Sequence, residues 1–177
     1  MYPDLGLLIL RVFLSMVVLA YGLQKLGFLG GYGFKGTAGW LESIGFKSGS
    51  LWIWPVVLAE VGGGLLILLG LGGPIGPGLV AADLTVATIG FHSPNGFWNA
   101  NGGWSWVSAL AAAAFSLALT GFGAYSLDRA LNVTYPDVLL PAWLVAVYSV
   151  AIVALVVQRA NKSAAPAEST EAPVVDS

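Results

Sequence analysis

Three charged side chains stand deep inside apolar stretches: Arg11 within residues 5–28, Glu60 within 51–71 and Asp83 within 75–92. A charge at the centre of a membrane-spanning helix costs about 2.5–3.5 kcal/mol on insertion scales, so each of the three needs a partner or a task. Counted at 1.5 Å per residue from the same face of the bilayer, Arg11 lies about 9 Å in, Asp83 about 12 Å and Glu60 about 16 Å. They are therefore expected to meet in one layer, with the planar guanidinium of Arg11 bridging the two carboxylates. Two chemistries fit such a layer. One is a structural clasp that holds three helices in register. The other is a proton relay or headgroup pocket, in which Arg11, Glu60, Asp83 and His92 are the candidate catalytic residues.

A second group gathers where helices end: Gln24 and Lys25 after the first, then His92, Asn95 and Trp98 after the third. Gln and His can donate to a quinone carbonyl, Trp98 or Phe97 can flank a flat ring, and Lys25 can stabilise negative charge as the ring is reduced. Gln24, Lys25, His92, Asn95 and Trp98 are thus the candidate cofactor-binding residues, with a quinone as the hypothetical ligand. The plain alternative is a snorkelling lysine and a hydrated histidine. His92 is the only histidine and the chain has no cysteine, so neither a multi-histidine metal site nor a thiolate cluster can form; no metal or flavin site is visible. His92 follows Asp83 by nine residues, half a turn out of phase, and shares its face only if Gly90 or Pro94 distorts the helix.

The helices that carry these groups can be read from composition. Of 177 residues, 57% are hydrophobic and 9% charged, against roughly a quarter charged in soluble domains, and mean hydropathy is +0.83. A water-soluble monomer is excluded, and the net charge of -2 offers no basic surface for nucleic acid. Apolar stretches at 5–28, 51–71, 75–92, 104–122 and 139–157 each approach the roughly 20 residues of a bilayer crossing. The turn-rich segment 72–78 makes the second and third antiparallel neighbours. The first lacks a basic leader and is read as a retained helix. The expected fold is an all-α integral membrane protein: an antiparallel four-helix transmembrane bundle over 1–134, an additional fifth transmembrane helix over 135–162, and a disordered acidic tail over 163–177. With the fifth helix spanning, Lys25, Lys35, Lys47, Arg159 and Lys162 fall on one side and Arg129 on the other, and the N-terminus is expected outside and the C-terminus inside; a re-entrant or peripheral fifth segment would move Arg159 and Lys162 to the other face. Segment 37–44 reads either as an amphipathic piece lying in the interface with Trp40, Leu41 and Ile44 toward lipid or as a loop anchored by one tryptophan. The fifth helix has no internal charge and is expected to be dispensable for the bundle.

Several segments together resemble the DoxX family of small membrane proteins, which includes the DoxD-type small subunit of thiosulfate:quinone oxidoreductase. They are Leu10-Arg11, Gly22-Leu23-Gln24-Lys25-Leu26, Ala59-Glu60-Val61-Gly62-Gly63-Gly64, His92-Ser93-Pro94-Asn95-Gly96-Phe97, Gly102-Gly103-Trp104 and Tyr125-Ser126-Leu127-Asp128, in order over residues 5 to 130. The resemblance implies a four-helix bundle in a prokaryotic cell membrane and an association with membrane redox chemistry. It suggests a subunit of a quinone-linked oxidoreductase, with thiosulfate as one donor and a membrane or extracytoplasmic redox partner. Tyr21 stands where many members carry His, Ser105 where a Glu is usual, and Asp83 is not a position of the family pattern. The competing reading is a non-enzymatic scaffold, assembly factor or small permease whose buried charges lock the bundle. Either could work as a homo-oligomer.

Overall fold

The computed structural model describes residues 2–164. The part of the expected tail at 165–177 lies outside the described residues. Every regular element described is helical. α1 is Tyr2–Lys25, α2 Gly33–Ser43, α3 Gly49–Leu69, α4 Ile75–Asn95, α5 Ser105–Thr120, α6 Leu127–Ala130 and α7 Leu139–Ser163. Four of these, α1, α3, α4 and α7, are long and apolar enough to cross a membrane. The fourth apolar stretch of the sequence becomes α5, which at 16 residues spans about 24 Å, less than the ~30 Å hydrocarbon layer. The outward faces of the long helices carry exposed Ile9, Phe13, Met16, Leu58, Val145 and Val156, side chains that lipid tolerates and water does not.

α4 is the central helix, touching α3, α5 and α7, while α1 packs on α3 and α5. The main core joins Leu14 and Val18 of α1, Ile67 of α3, Val80 and Leu84 of α4, and Leu110, Ala114 and Leu117 of α5. Close approach of α1 to α3 depends on Gly22: a Cβ there would stand 2.7 Å from Val61 Cγ2 and 3.0 Å from Glu60 Cβ. α7 adds Val147 and Ala151 against Ala82 of α4, and its Trp143 Nε1 donates to the Ile75 carbonyl at 3.0 Å. It thus shares the bundle's packing and walls the interior.

Two of the long helices loosen midway into π-helical turns, Leu58–Gly63 in α3 and Thr88–His92 in α4. Such turns insert an extra residue and shift the phase of the helix beyond them, and they recur at functional sites. The second ends at His92, two residues before Pro94, which has no N–H to give the carbonyl of Gly90. Gln158 of α7 takes that carbonyl instead, its Nε2 donating to Gly90 at 3.0 Å and to Ile44 at 2.9 Å. Gln158 is 1% exposed, so this amide is a buried rivet between α7, α4 and the segment after α2.

The single layer of three charges does not form. Gly22 faces Glu60 and Leu19 faces Gly64, whereas Arg11 reaches Gly70 at the far end of α3. Eleven residues of α1 separate Arg11 from Gly22, about 16 Å along the axis. α1 projects beyond α3 at the Asp4 end, so counting from helix ends misplaces the register.

Candidate functional site

At the Asp4 end, Arg11 closes a knot of backbone. It is 5% exposed, its Nη2 donates to the Tyr125 carbonyl, and its guanidinium lies 6.0 Å from the centre of the Phe122 ring. Gly70, at φ 64°, makes room, because a Cβ there would strike the guanidinium. Asp128 accepts from the Gly72 and Gly73 N–H groups at 3.1 and 2.8 Å and from the Tyr135 hydroxyl at 2.7 Å. Asp4 accepts from the Ala124 N–H at 2.8 Å, and Ser126 caps α6. Burial, together with donation to Asp128, raises the Tyr135 phenol above its ordinary range. The segment 125–128 therefore ties α1 to the α3–α4 hairpin, and Arg11 serves that tie and neither carboxylate.

The other two intramembrane charges sit around a cavity of about 470 Å³ toward the Lys25 end. Its polar pole is Lys25, Glu60 and Asp83, supplied by α1, α3 and α4. Lys25 Nζ lies 2.7 Å from both oxygens of Glu60, whose side chain is 7% exposed. Lys25 is thus the partner that Glu60 takes in place of Arg11. It reaches inward because α2 folds back over the end of α1, with Thr37 Oγ1 3.4 Å from the Lys25 carbonyl. Asp83 interacts electrostatically with Glu60 and Lys25 and makes no hydrogen bond among the described residues. Beyond these groups the lining is mostly apolar and aromatic, with Trp40, Trp52, Trp106 and Trp143 contributed by four different elements.

The short helix α2 covers this cavity and does not present its apolar side to lipid. Leu41 is buried, Trp40 meets Phe91 edge-to-face at 4.9 Å, and Trp40, Leu41 and Ile44 all line the interior. His92 also lines it, on the same side as Asp83, because the π-helical turn at 88–92 removes the half-turn mismatch of a regular helix. Its Nδ1 is 2.7 Å from the Gly102 carbonyl, which Asn95 Nδ2 also approaches at 3.2 Å. Asn95 therefore braces the 96–104 loop, and it is Asn99 that borders the cavity. Gln24 turns to Gly31, where a Cβ would overlap it, and Trp98 is largely exposed beside Phe97. Gln24, Asn95, Trp98 and Phe97 are off the lining. Sequence reasoning misses Gln158 and the four tryptophans as a set. An amide in the last turns of an apolar helix and aromatics spread over four segments carry no shared spacing.

Among the described residues no three His, Cys, Asp or Glu side chains gather as a metal site. Comparison with known proteins gives a consistent answer. The DoxX family model matches residues 6–93, a segment holding Arg11, Lys25, Glu60, Asp83 and His92. Inner membrane protein YqjF of Escherichia coli (strain K12) is 32% identical over 130 residues, 73% of this chain and 94% of that protein. Inner membrane protein YphA of the same organism is 32% identical over 133 residues, 70% of this chain and 88% of that protein. No solved structure matches. This integral membrane protein belongs to the DoxX family.

Proposed function

We propose that the protein is a non-enzymatic membrane binding protein of the small-permease kind, which takes a lipid-soluble small molecule into the cavity between α1, α3, α4 and α7. The observation that carries this reading is the composition of the cavity: one compact polar pole in an apolar and aromatic room of about 470 Å³. That volume falls within the roughly 300–1,000 Å³ of sites for drug-sized ligands. At the other end Arg11, Asp4 and Asp128 each hold backbone of the 122–128 region or of the α3–α4 turn, which supports a structural role for that half. We read α5 as a fifth crossing, short because the 93–104 loop continues it toward the surface. The excess of cations at the Lys25 end then sets the N-terminus outside and the C-terminus inside. Both Escherichia coli relatives are described as inner membrane proteins, which supports a cell-membrane location.

A quinone remains the second reading, on one observation: His92, Trp40 and Phe91 border the same cavity as Lys25. In that reading a membrane or extracytoplasmic redox partner supplies the electrons, and Arg11 has no part in proton handling. The deciding experiment is mass spectrometry of small molecules retained by protein isolated in mild detergent, alongside Ala87→Phe and Ala146→Trp variants that narrow the cavity. Retention of a lipid-soluble compound by the wild type and its loss from folded variants is expected. Equal retention by all three would refute the cavity reading. Quinone as that compound, with donor-dependent reduction in the native complex, would favour the second reading over the first.

A further inference from the structure

We propose that the ligand is a lipophilic organic cation, a quaternary onium or protonated amine, which enters sideways from the bilayer between α3 and α7 and takes the place of a proton on Asp83. The inference rests on the cavity reading above and names the ligand class. Lys25 and Glu60 pair at 2.7 Å and sum to no charge. Asp83 is the remainder: a cavity-lining carboxyl with no hydrogen bond among the described residues. In an apolar room such a group must hold either a proton or a cation. A small hydrated ion finds no cage of oxygens here, since the walls are hydrocarbon and aromatic rings. A cation carrying its own apolar substituents fits both features, pairing with Asp83 while Trp40, Trp52, Trp106 and Trp143 offer ring faces to its periphery.

The path is set by packing. α3 and α7 each lie along α4 and share one buried cluster, Ile53 and Val57 with Ala154, while Pro55 and Val150 are both exposed and part of the lining. The gap at those two residues faces where lipid lies. The end toward the surface is closed by α2, held by Trp40 on Phe91 and by the Gln158 bond to Ile44. Titratable groups that face Asp83 across the cavity are Lys25 and Tyr21 from α1, Glu60 from α3 and His92 from α4 itself. α2, α5 and α7 contribute none to the lining. The exchange balances in charge and atoms: a protonated Asp83 and a free cation become an Asp83 carboxylate paired with that cation, and one proton is released.

The test is calorimetric titration of the full chain in mild detergent with tetraphenylphosphonium, in two buffers of different ionisation enthalpy, beside the neutral analogue triphenylphosphine oxide. The expected result is release of one proton per cation bound and affinity that falls up to roughly tenfold per unit of pH on acidification. Asp83→Asn should lose both the binding and the pH dependence, while Asp83→Glu, which keeps the charge, should retain them. Should Asp83→Asn fail to fold, the proton count on the wild type and the Asp83→Glu variant decide. Cation binding with no proton release, or unchanged in folded Asp83→Asn, overturns the inference. Binding of the neutral analogue alone overturns the cation class and leaves the cavity reading standing. Binding of neither probe, together with no retained compound in the native protein, brings down both.

Discussion

Replacing Gln158 with Leu should cost about 2–5 kcal/mol of stability, more than any other single polar change in α7. The magnitude comes from two bonds. Gln158 Nε2 donates to the carbonyls of Ile44 and Gly90 at 2.9 and 3.0 Å from a side chain that is 1% exposed. A leucine fills nearly the same volume but offers no donor, and a buried carbonyl left without one costs about 1–3 kcal/mol. Neither acceptor has a ready substitute. Gly90 lies four residues before Pro94, so the helix cannot supply the N–H, and only Lys162 Nζ approaches, at 3.4 Å. The assay is denaturant-driven unfolding in mixed micelles, read through the tryptophans of the cavity wall. Pro94→Ala restores an N–H near Gly90, so the Pro94→Ala/Gln158→Leu double variant should lose at least about 1 kcal/mol less than the sum of the singles. A Gln158→Leu loss below about 0.5 kcal/mol, or strict additivity with Pro94→Ala, would mean that water satisfies both carbonyls and that the rivet is not one.

Lys25→Met should destabilise by about 3 kcal/mol because it strands Glu60, whereas Lys25→Met/Glu60→Leu should recover most of that loss, as the same unfolding assay would show. Gly22→Ile places a branched side chain where even a Cβ would lie 2.7 Å from Val61 Cγ2, and should cost about 1–3 kcal/mol or splay α1 from α3, visible as loss of a cysteine cross-link engineered between them. Burial and donation to Asp128 hold the Tyr135 proton in the folded state, so its contribution to stability is full below the phenol's unfolded pKa of about 10 and is lost as pH rises through the higher folded value. Absorbance titration of the phenolate, with Tyr135→Phe as the control that lacks this alkaline loss, checks the sign. Single cysteines at positions 35 and 162 should label from one face of the membrane and a cysteine at position 4 from the other; labelling of 35 and 162 from opposite faces would overturn the five-crossing topology.

The residues alone reveal which side chains carry the problem, but not whom they meet. Arg11, Glu60 and Asp83 announce themselves because an apolar helix has no reason to hold a charge. Their expected pairing fails on register, which is set by close contacts such as Gly22 on Glu60 and Gly64 on Leu19, while depth counting assumes that helix ends are level. Lys25 looks interfacial because a glycine-rich loop comes after it. Its burial is decided by α2, whose apolar side serves equally well against lipid or against a neighbour, so the helix's own pattern is silent on the choice. The same holds for Gln158. Pro94 signals that the Gly90 carbonyl lacks a donor, but the donor arrives from 68 residues further on. These corrections bear on function. Once Arg11 belongs to the knot at Tyr125, it no longer neutralises either acid, and the cavity end holds two carboxyls against one lysine. Asp83, with no hydrogen bond among the described residues, is then the carboxyl of the cavity that Lys25 does not pair with, and that is the ground on which a cationic ligand is proposed.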